Sequence, residues 1–242
     1  METKVEVSNL ISPIIKVLEK ATHEVSALLE IGIPEYLENQ TEKLLYVNTF
    51  LHRAEKVKFD DIYYPVTVKY DYLSTKFEDV RNILEKHSYI TIIGRAGTGK
   101  STLVKYIFLR SIRQSYKIPV LVELRLLNEY RGEFKKFIFD KLLKKHVKPS
   151  KETLKRALRR GDFLFLFDGF DEIFSKKKKL IEGQLADFVD KYDKNKYIIT
   201  SRPGLGVERI LRFQKFLVRD LQFEDILNFI DSLVVHEERR YR

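Results

Sequence analysis

Short apolar runs alternate with stretches of helical spacing from about residue 77 onward. Five of these runs, rich in β-branched and aromatic residues, have the length and composition of buried strands. Such alternation is typical of a parallel sheet covered by helices on both faces. The sequence therefore predicts an α/β fold built on a five-stranded, mostly parallel sheet. The predicted strands cover residues 89–93, 120–124, 163–167, 197–199 and 216–218.

The first sixty residues have helical spacing without a candidate strand among them. Ser12 followed by Pro13 is typical of a helix start, and a second helix is predicted from Pro34 toward Arg53. Glutamates lie between the apolar positions, which favours packing within the protein over membrane binding. Residues 1–60 are therefore predicted to form a small N-terminal helical segment.

The character of the sequence changes after this segment. Residues 56–71 are rich in β-branched and aromatic side chains and include a proline, as expected of a linker that lies along the edge of a domain. A short helix is predicted around residues 77–85, ahead of the first strand. Residues 61–242 are therefore predicted to form one α/β domain.

Composition limits the classes of protein to which the chain can belong. With 44% hydrophobic and 33% charged residues among its 242, the chain has the composition of a soluble globular protein. It contains no cysteine, which excludes a disulfide framework, a cysteine nucleophile and a thiolate metal site. No apolar run reaches the roughly 18 residues of a membrane span, and the first residues lack the pattern of a signal peptide. We therefore expect a cytoplasmic protein that does not contact membranes.

The net charge of +10 is unevenly distributed along the chain. Residues 1–60 carry −3, and residues 141–160 alone carry +8, from nine lysines and arginines against one glutamate. A basic stretch of this kind can attract a polyanion such as nucleic acid. It can equally be a solvated helix face, and we favour this second interpretation because such faces are common on protein surfaces.

A glycine-rich sequence, GRAGTGKS, follows the first predicted strand and matches the pattern G-x-x-x-x-G-K-[ST] at every required position. In this pattern glycines let backbone N–H groups converge on phosphate oxygens, and the positive end of the following helix adds to the attraction. The apolar residues after it have helical spacing, so the motif stands in the strand-to-helix context that it needs. Lys100 is predicted to reach the β- and γ-phosphates, and Ser101 to bind Mg²⁺. The predicted phosphate-binding residues are Gly94, Arg95, Ala96, Gly97, Thr98, Gly99, Lys100, Ser101 and Thr102.

A second chemical element is the sequence FLFLFDGFDE of residues 163–172. Five apolar residues predict a strand buried on both faces, and an acid at its carboxyl end emerges where α/β sheets bind ligands. Asp168 is predicted to orient Mg²⁺, and Asp171 and Glu172 lie close enough to polarise an attacking water. The spacing does not choose between these two acids as the catalytic base, although Glu172 is preferred.

A third element, TSRPG, ends the strand predicted at residues 197–199. Its hydroxyls and the Arg202 guanidinium are expected beside the acids of the preceding strand, where Arg202 can sense the γ-phosphate.

Together, GRAGTGKST, FLFLFDGFDE and TSRPG resemble the NACHT group of signal-transduction NTPases, in the STAND class of P-loop proteins. Softer similarities are YLENQTEKLLYVNTFLHR followed by DIYYPVTV, which resembles the lead-in of bacterial NACHT modules, and LKRALRRGDF, which resembles the helix before their acidic strand. The resemblance covers about residues 40–235. It implies that the phosphate-loop strand is near the centre of the sheet, with the TSRPG strand between it and the acidic strand.

The resemblance also implies a function. It implies ATP and ADP as ligands, since no N-K-x-D guanine motif follows, together with Mg²⁺, slow hydrolysis and nucleotide-dependent oligomerisation in bacterial defence against phage. Tyr63, with Ile62 and Pro65, is implied to lie against the adenine. Family members continue into a helical lid, a winged helix and a sensor domain. The sequence ending at Arg242 implies either a fragment or a minimal form.

Two other functions stay open from the sequence. One is an AAA-like ATPase that acts on nucleic acid through residues 141–160. The other is a module that binds nucleotide without hydrolysing it and serves as an interaction platform.

Overall fold

The computed structural model describes residues 2–19, 32–47, 56–142, 150–207 and 212–230. These residues form a central sheet with helices packed on it, and a separate two-stranded ribbon near the N-terminus. The strands are β1 (Tyr46–Val47), β2 (Val57–Lys58), β3 (Thr67–Tyr70), β4 (Leu73–Lys76), β5 (Tyr89–Ile93), β6 (Ile118–Glu123), β7 (Phe163–Asp168), β8 (Lys196–Ser201) and β9 (Gln214–Val218).

The helices follow the strands in alternation through the second half of the chain. Residues 223–230 are also helical. The α-helices are α1 (Glu2–Glu19), α2 (Ile33–Leu45), α3 (Phe59–Ile62), α4 (Val80–Lys86), α5 (Lys100–Arg113), α6 (Phe134–Leu142), α7 (Ser150–Arg160) and α8 (Ser175–Lys191), and two short 3₁₀ helices cover Leu124–Asn128 and Phe170–Glu172.

The central sheet has seven strands in the order β4-β3-β9-β5-β8-β7-β6. The five strands β9, β5, β8, β7 and β6 are mutually parallel, and they are the five that the sequence predicts. The strand before the phosphate loop lies at the middle, and β8 separates it from the acidic strand β7, as the family resemblance implies. The predicted fold class is therefore confirmed.

Two antiparallel strands extend the sheet beyond the five predicted ones. The hairpin of β3 and β4 adds to β9, with Val68 opposite Val218 in the register. Residues 56–71 were predicted as a linker along a domain edge, and they do lie at the edge, but part of them joins the sheet. The hairpin has little apolar pattern because all four residues of β4 are exposed.

The first helix begins earlier than the sequence predicts. Helix α1 starts at Glu2 and continues through Pro13, so Ser12 is not its N-cap. Proline inside a helix removes one backbone hydrogen bond. Packing offsets this loss, because Val7, Ile11, Ile14 and Leu18 form a buried stripe at helical spacing.

The second helix begins where predicted and ends earlier. Helix α2 has Pro34 in its first turn and ends at Leu45, where β1 begins, so it does not continue to Arg53. Residues 20–31 and 48–55 lie outside the described part of the chain. Both α1 and α2 pack against α5 of the α/β core. The division of the chain at residue 60 stays a prediction.

The apolar core places the chemically active residues at one end of the sheet. Strands β5, β7 and β8 are buried along almost their whole length, and the rings of Phe165 and Tyr197 stack across them at 5.4 Å between centroids. Parallel strands end at the same edge, so Ile93 lies opposite Ser201 and Asp168 lies beside Thr200 at one end of the sheet. Across the described ranges, no helix is long and apolar enough to cross a membrane.

Candidate functional site

The phosphate loop connects β5 to α5 in a conformation that its glycines make possible. Gly97 and Gly99 have φ values of 77° and 83°, a region that side chains disfavour. Gly94 is required for space, because a Cβ there would lie 2.6 Å from Thr98 Oγ1 and 3.0 Å from Val218 Cβ. The Gly94 N–H donates to the Ser201 carbonyl at 3.2 Å, which fixes the loop to the end of β8.

The Lys100 ammonium lies at the mouth of this loop. Its Nζ donates to the carbonyl oxygens of Gly94 and Arg95, each at 2.7 Å. Burial lowers the pKa of Lys100, an effect that the neighbouring carboxylates oppose. The ammonium is thus held by two neutral acceptors, which an anionic phosphate oxygen would outcompete because charge-assisted hydrogen bonds are stronger.

Asp168, at the end of β7, is fixed by a short chain of hydrogen bonds. The buried Thr200 hydroxyl on β8 donates to Asp168 Oδ1 at 2.5 Å and accepts from the Gly169 N–H at 2.9 Å. Gly169 itself has a φ of 79°, which turns the chain sharply after the strand. Thr200 therefore aligns the Asp168 carboxylate through Oδ1, and Oδ2 stays available to a ligand.

The two acids beyond Asp168 have different environments. The side chain of Asp171 is only 8% exposed, and its oxygens accept from the Arg202 backbone N–H at 3.1 Å and from Arg202 Nε at 3.0 Å. Glu172 is exposed. Its backbone is held by a hydrogen bond to Gly169 and by Asn128, whose amide donates to the Glu172 carbonyl at 2.9 Å. Arg202 thus engages the Asp171 carboxylate, whereas the Glu172 side chain faces solvent.

Glu172 borders a polar cavity of about 410 Å³ beside the first turn of α5. Ser101 and Asp168, the two predicted metal ligands, line the same cavity. No cluster of three or more His, Asp or Glu side chains forms a metal cage within the described residues. The hydroxyl of Ser101 and the carboxylate of Asp168 are oxygen donors of the kind that Mg²⁺ takes in small number, with phosphate oxygens and water completing its shell. The lining residues are Gln40, Lys43, Leu44, Ser101, Lys105, Leu121, Glu123, Arg125, Asp168 and Glu172.

The remaining residues of the predicted phosphate loop do not line this cavity. Arg95, Ala96 and Thr102 are exposed on the loop and the first turn of α5. Thr98 stabilises the loop through a hydrogen bond to the Arg95 carbonyl at 2.9 Å.

Tyr63 lies against the α5 helix that follows the loop. Its ring stacks on that of Tyr106, at 4.2 Å between centroids and 8° between planes, and Phe59 lies beside it at 5.3 Å. Val66, three residues on, lies next to Gly99 at the N-terminus of α5. The structure thus places this segment near the phosphate loop, and an adenine contact at Tyr63 stays a prediction.

The basic stretch of residues 141–160 is divided between two helices, with residues 143–149 outside the described part. Lys141 is partly buried, with Nζ 6.0 Å from the centroid of the Tyr36 ring, and burial lowers its pKa. On α7, Lys155 pairs with Glu152 and Arg160 with Asp162. Lys151, Arg156 and Arg159 are exposed. A nucleic-acid contact at these residues stays a prediction.

Several lining residues are absent from the sequence-based prediction. Glu123 and Asp168 are register partners on β6 and β7, so the topology brings them together. Arg125 pairs with Glu123 at 2.5 Å. A polar residue near the carboxyl end of a predicted strand is a signal that could have identified Glu123. Gln40 and Lys43 lie on α2, far from any motif, and only the packing of that helix brings them to the cavity.

A glycine loop with a lysine, opening a helix beside an acid at the end of a neighbouring parallel strand, defines the class of P-loop nucleotide-binding proteins. The NACHT domain model matches residues 88–237, more than half of the chain. The chain belongs to the NACHT family and is a nucleotide-binding P-loop NTPase. The matched residues begin just before β5, so the lead-in from about residue 40 lies outside them.

A structure of C. elegans PCH-2 is similar over 67% of this chain and 43% of its own, with 16% sequence identity and a TM-score of 0.38. This chain thus corresponds to less than half the length of that protein. No curated protein sequence matches.

Proposed function

We propose that the protein is a NACHT-type switch that binds ATP and hydrolyses it slowly. The observation that carries this proposal is the convergence, at one end of the sheet, of the phosphate loop, the aligned Asp168 carboxylate and the Asp171–Arg202 pair. Each element comes from a different strand end, and all three border the site where a triphosphate would extend from the loop.

In this proposal the phosphates of ATP bind to the loop amides and displace the Gly94 and Arg95 carbonyls from Lys100. Ser101 and Asp168 would hold Mg²⁺, which neutralises charge on phosphate oxygens. Thr200 keeps Asp168 in place throughout. This arrangement supplies positioning and electrostatic stabilisation, which are the main requirements of phosphoryl transfer.

Glu172 is the proposed base. It accepts a proton from a water molecule that attacks the γ-phosphorus, and the bond from that phosphorus to the β–γ bridging oxygen breaks to give ADP and inorganic phosphate. Arg202 lies at the end of β8 with more than half of its side chain exposed, so it is able to leave Asp171 and contact the γ-phosphate. Arg202 would then contact the γ-phosphate in the ATP-bound state and Asp171 in the ADP-bound state.

The biological part of the proposal depends on membership of the NACHT family. The protein would act in the cytoplasm in bacterial innate immunity against phage, with self-association controlled by the bound nucleotide. The ATP-bound protein would signal by self-association, and hydrolysis of ATP would return the protein to its resting state.

Phosphate release and ATP affinity test the proposal in two proteins, the unaltered chain and Glu172→Gln. We expect the unaltered chain to release phosphate from Mg²⁺-ATP. Glu172→Gln should bind ATP with unchanged affinity and lose about 100-fold or more in turnover, because a general base contributes on this scale. Tight binding without release by the unaltered chain would contradict the proposal and favour a non-hydrolysing module.

A further inference from the structure

One wall of the 410 Å³ cavity beside the first turn of α5 is built by the N-terminal helix α2. Gln40, Lys43 and Leu44 lie on one face of that helix and line the cavity together with Ser101 and Glu172. The nucleotide site therefore takes part of its surface from the helical segment that precedes the α/β core.

Helix α2 is fixed against the edge of the central sheet. The buried Tyr36 hydroxyl accepts the backbone N–H of Leu121 at 2.9 Å, and β6, which contains Leu121, is the last strand on that side. Leu37, Leu44 and Leu45 are buried on the same helix. A buried hydrogen bond supported by apolar packing gives α2 a defined position relative to the site.

The charges that face the cavity are not balanced by direct pairing. Glu123 is paired with Arg125, whereas Asp168 and Glu172 bring two further carboxylates. Lys43 and Lys105 line the cavity as cations and have no carboxylate within ion-pair distance in the described part of the chain.

We propose that Lys43 of α2 contacts the terminal phosphate of bound ATP, with Gln40 as a neutral hydrogen-bond partner, and that α2 thereby reads whether the site holds ATP or ADP. The proposal rests on the proposed function, because it takes the loop as the site of the β-phosphate. The proposed metal ligand Ser101 and the proposed base Glu172 both line the cavity, so a γ-phosphoryl group held between these two residues would enter it.

A contact between Lys43 and the terminal phosphate would couple the bound nucleotide to the N-terminal helices directly. Helix α1 packs on both α2 and α5, and α5 begins at Lys100. A change in the position of α2 on ATP binding would therefore reach α1 through packed side chains. ADP, which lacks the terminal phosphate, would leave Lys43 without this contact.

Isothermal titration of the full chain with Mg²⁺-ADP and with the slowly hydrolysed analogue Mg²⁺-ATPγS tests the proposal. Lys43→Gln should weaken ATPγS binding about five-fold, the size expected for one partly solvated charge contact, and leave ADP binding unchanged. Lys43→Arg should restore ATPγS affinity. The matched control is Lys16→Gln, which removes the same charge from the exposed face of α1 and should change neither affinity.

Three results would overturn the proposal. An equal loss for both nucleotides would make Lys43 a general electrostatic contributor, and no loss for either would place it outside the site. Tighter ATPγS binding by Lys43→Gln would mean that α2 opposes ATP. If the unaltered chain binds neither nucleotide, the proposed function itself fails, and this outcome is distinct from the other three.

Discussion

The phosphate loop and helix α2 border the same cavity, but the sequence specifies them in different ways. The loop is determined locally, because its glycines, Lys100 and the start of α5 lie within eight residues. Helix α2 reaches the cavity through a contact between Tyr36 and Leu121, 85 residues apart. A local motif can thus be recognised in sequence, whereas a wall of the site supplied by long-range packing requires the structure.

The largest expected effect lies in the loop. Lys100→Ala should reduce the affinity for ATP and ADP by about 100-fold or more, since it removes the ammonium that the phosphates would contact. Fluorescence titration with a labelled nucleotide measures the change. Lys69→Ala, which removes an exposed lysine of β3, is the control and should bind as the unaltered chain does. Retained binding in Lys100→Ala would separate the loop from the nucleotide site.

Gly94→Ala tests whether the loop depends on close packing. The added Cβ would lie 2.6 Å from Thr98 Oγ1, so we expect a loss in nucleotide binding of about 2 kcal/mol, within the range of overpacking effects. Thr98→Ala in the same chain should recover part of it. Gly183→Ala on α8 meets no atom within 4 Å and is the matched control. Equal affinity for Gly94→Ala and the control would show that the loop adapts.

Asp171→Asn examines the ion pair that joins β7 to β8. The substitution neutralises the carboxylate that accepts hydrogen bonds from Arg202. We therefore expect the free energy of unfolding to fall by about 1.5 kcal/mol. Denaturant titration measures this value. Glu172→Gln is the comparison, and it should leave stability unchanged because Glu172 is exposed. The reverse order of stabilities would exchange the roles that we assign to the two acids.

The smallest expected effect lies in α2. Tyr36→Phe leaves the buried Leu121 N–H without its acceptor and should lower the free energy of unfolding by about 1 kcal/mol. Tyr72→Phe, on a residue that is 90% exposed, should have no effect on stability. The affinity for ADP should be the same in both variants and in the unaltered chain. A loss of ADP affinity in Tyr36→Phe would mean that α2 supports the loop itself, and the comparison between the two regions would fail.

Much of the fold follows from patterns within short segments. The five parallel strands could be predicted because each is an apolar run between helical stretches. The family resemblance implies the relative order of β5, β8 and β7, and the structure adds the places of β9 and β6. The hairpin of β3 and β4 could not, since its outer strand has no buried face. The predicted start of α1 at Ser12 is wrong, because the pattern Ser-Pro usually marks a helix start. Here the packing of the buried stripe around Pro13 outweighs that preference.

The site shows the same division between local and distant information. The sequence predicts Lys100, Ser101 and Asp168, and the structure brings the last two to one cavity. The environments of Asp171 and Glu172 could not be predicted, because Asp171 is buried against Arg202, a residue about thirty positions later in the chain, whereas Glu172 is exposed. The motif alone does not distinguish two adjacent acids, because tertiary contacts decide which of them is buried and which is exposed.

Hydrogen exchange of the full chain, with and without nucleotide, tests most directly the claim that this chain is an ATP-dependent switch whose site is completed by α2. With Mg²⁺-ATPγS, backbone amides of residues 94–103 and of α2 should both gain protection. With Mg²⁺-ADP, the gain should be confined to residues 94–103. Protection of α2 by both nucleotides alike, or of neither region by ATPγS, would contradict the account.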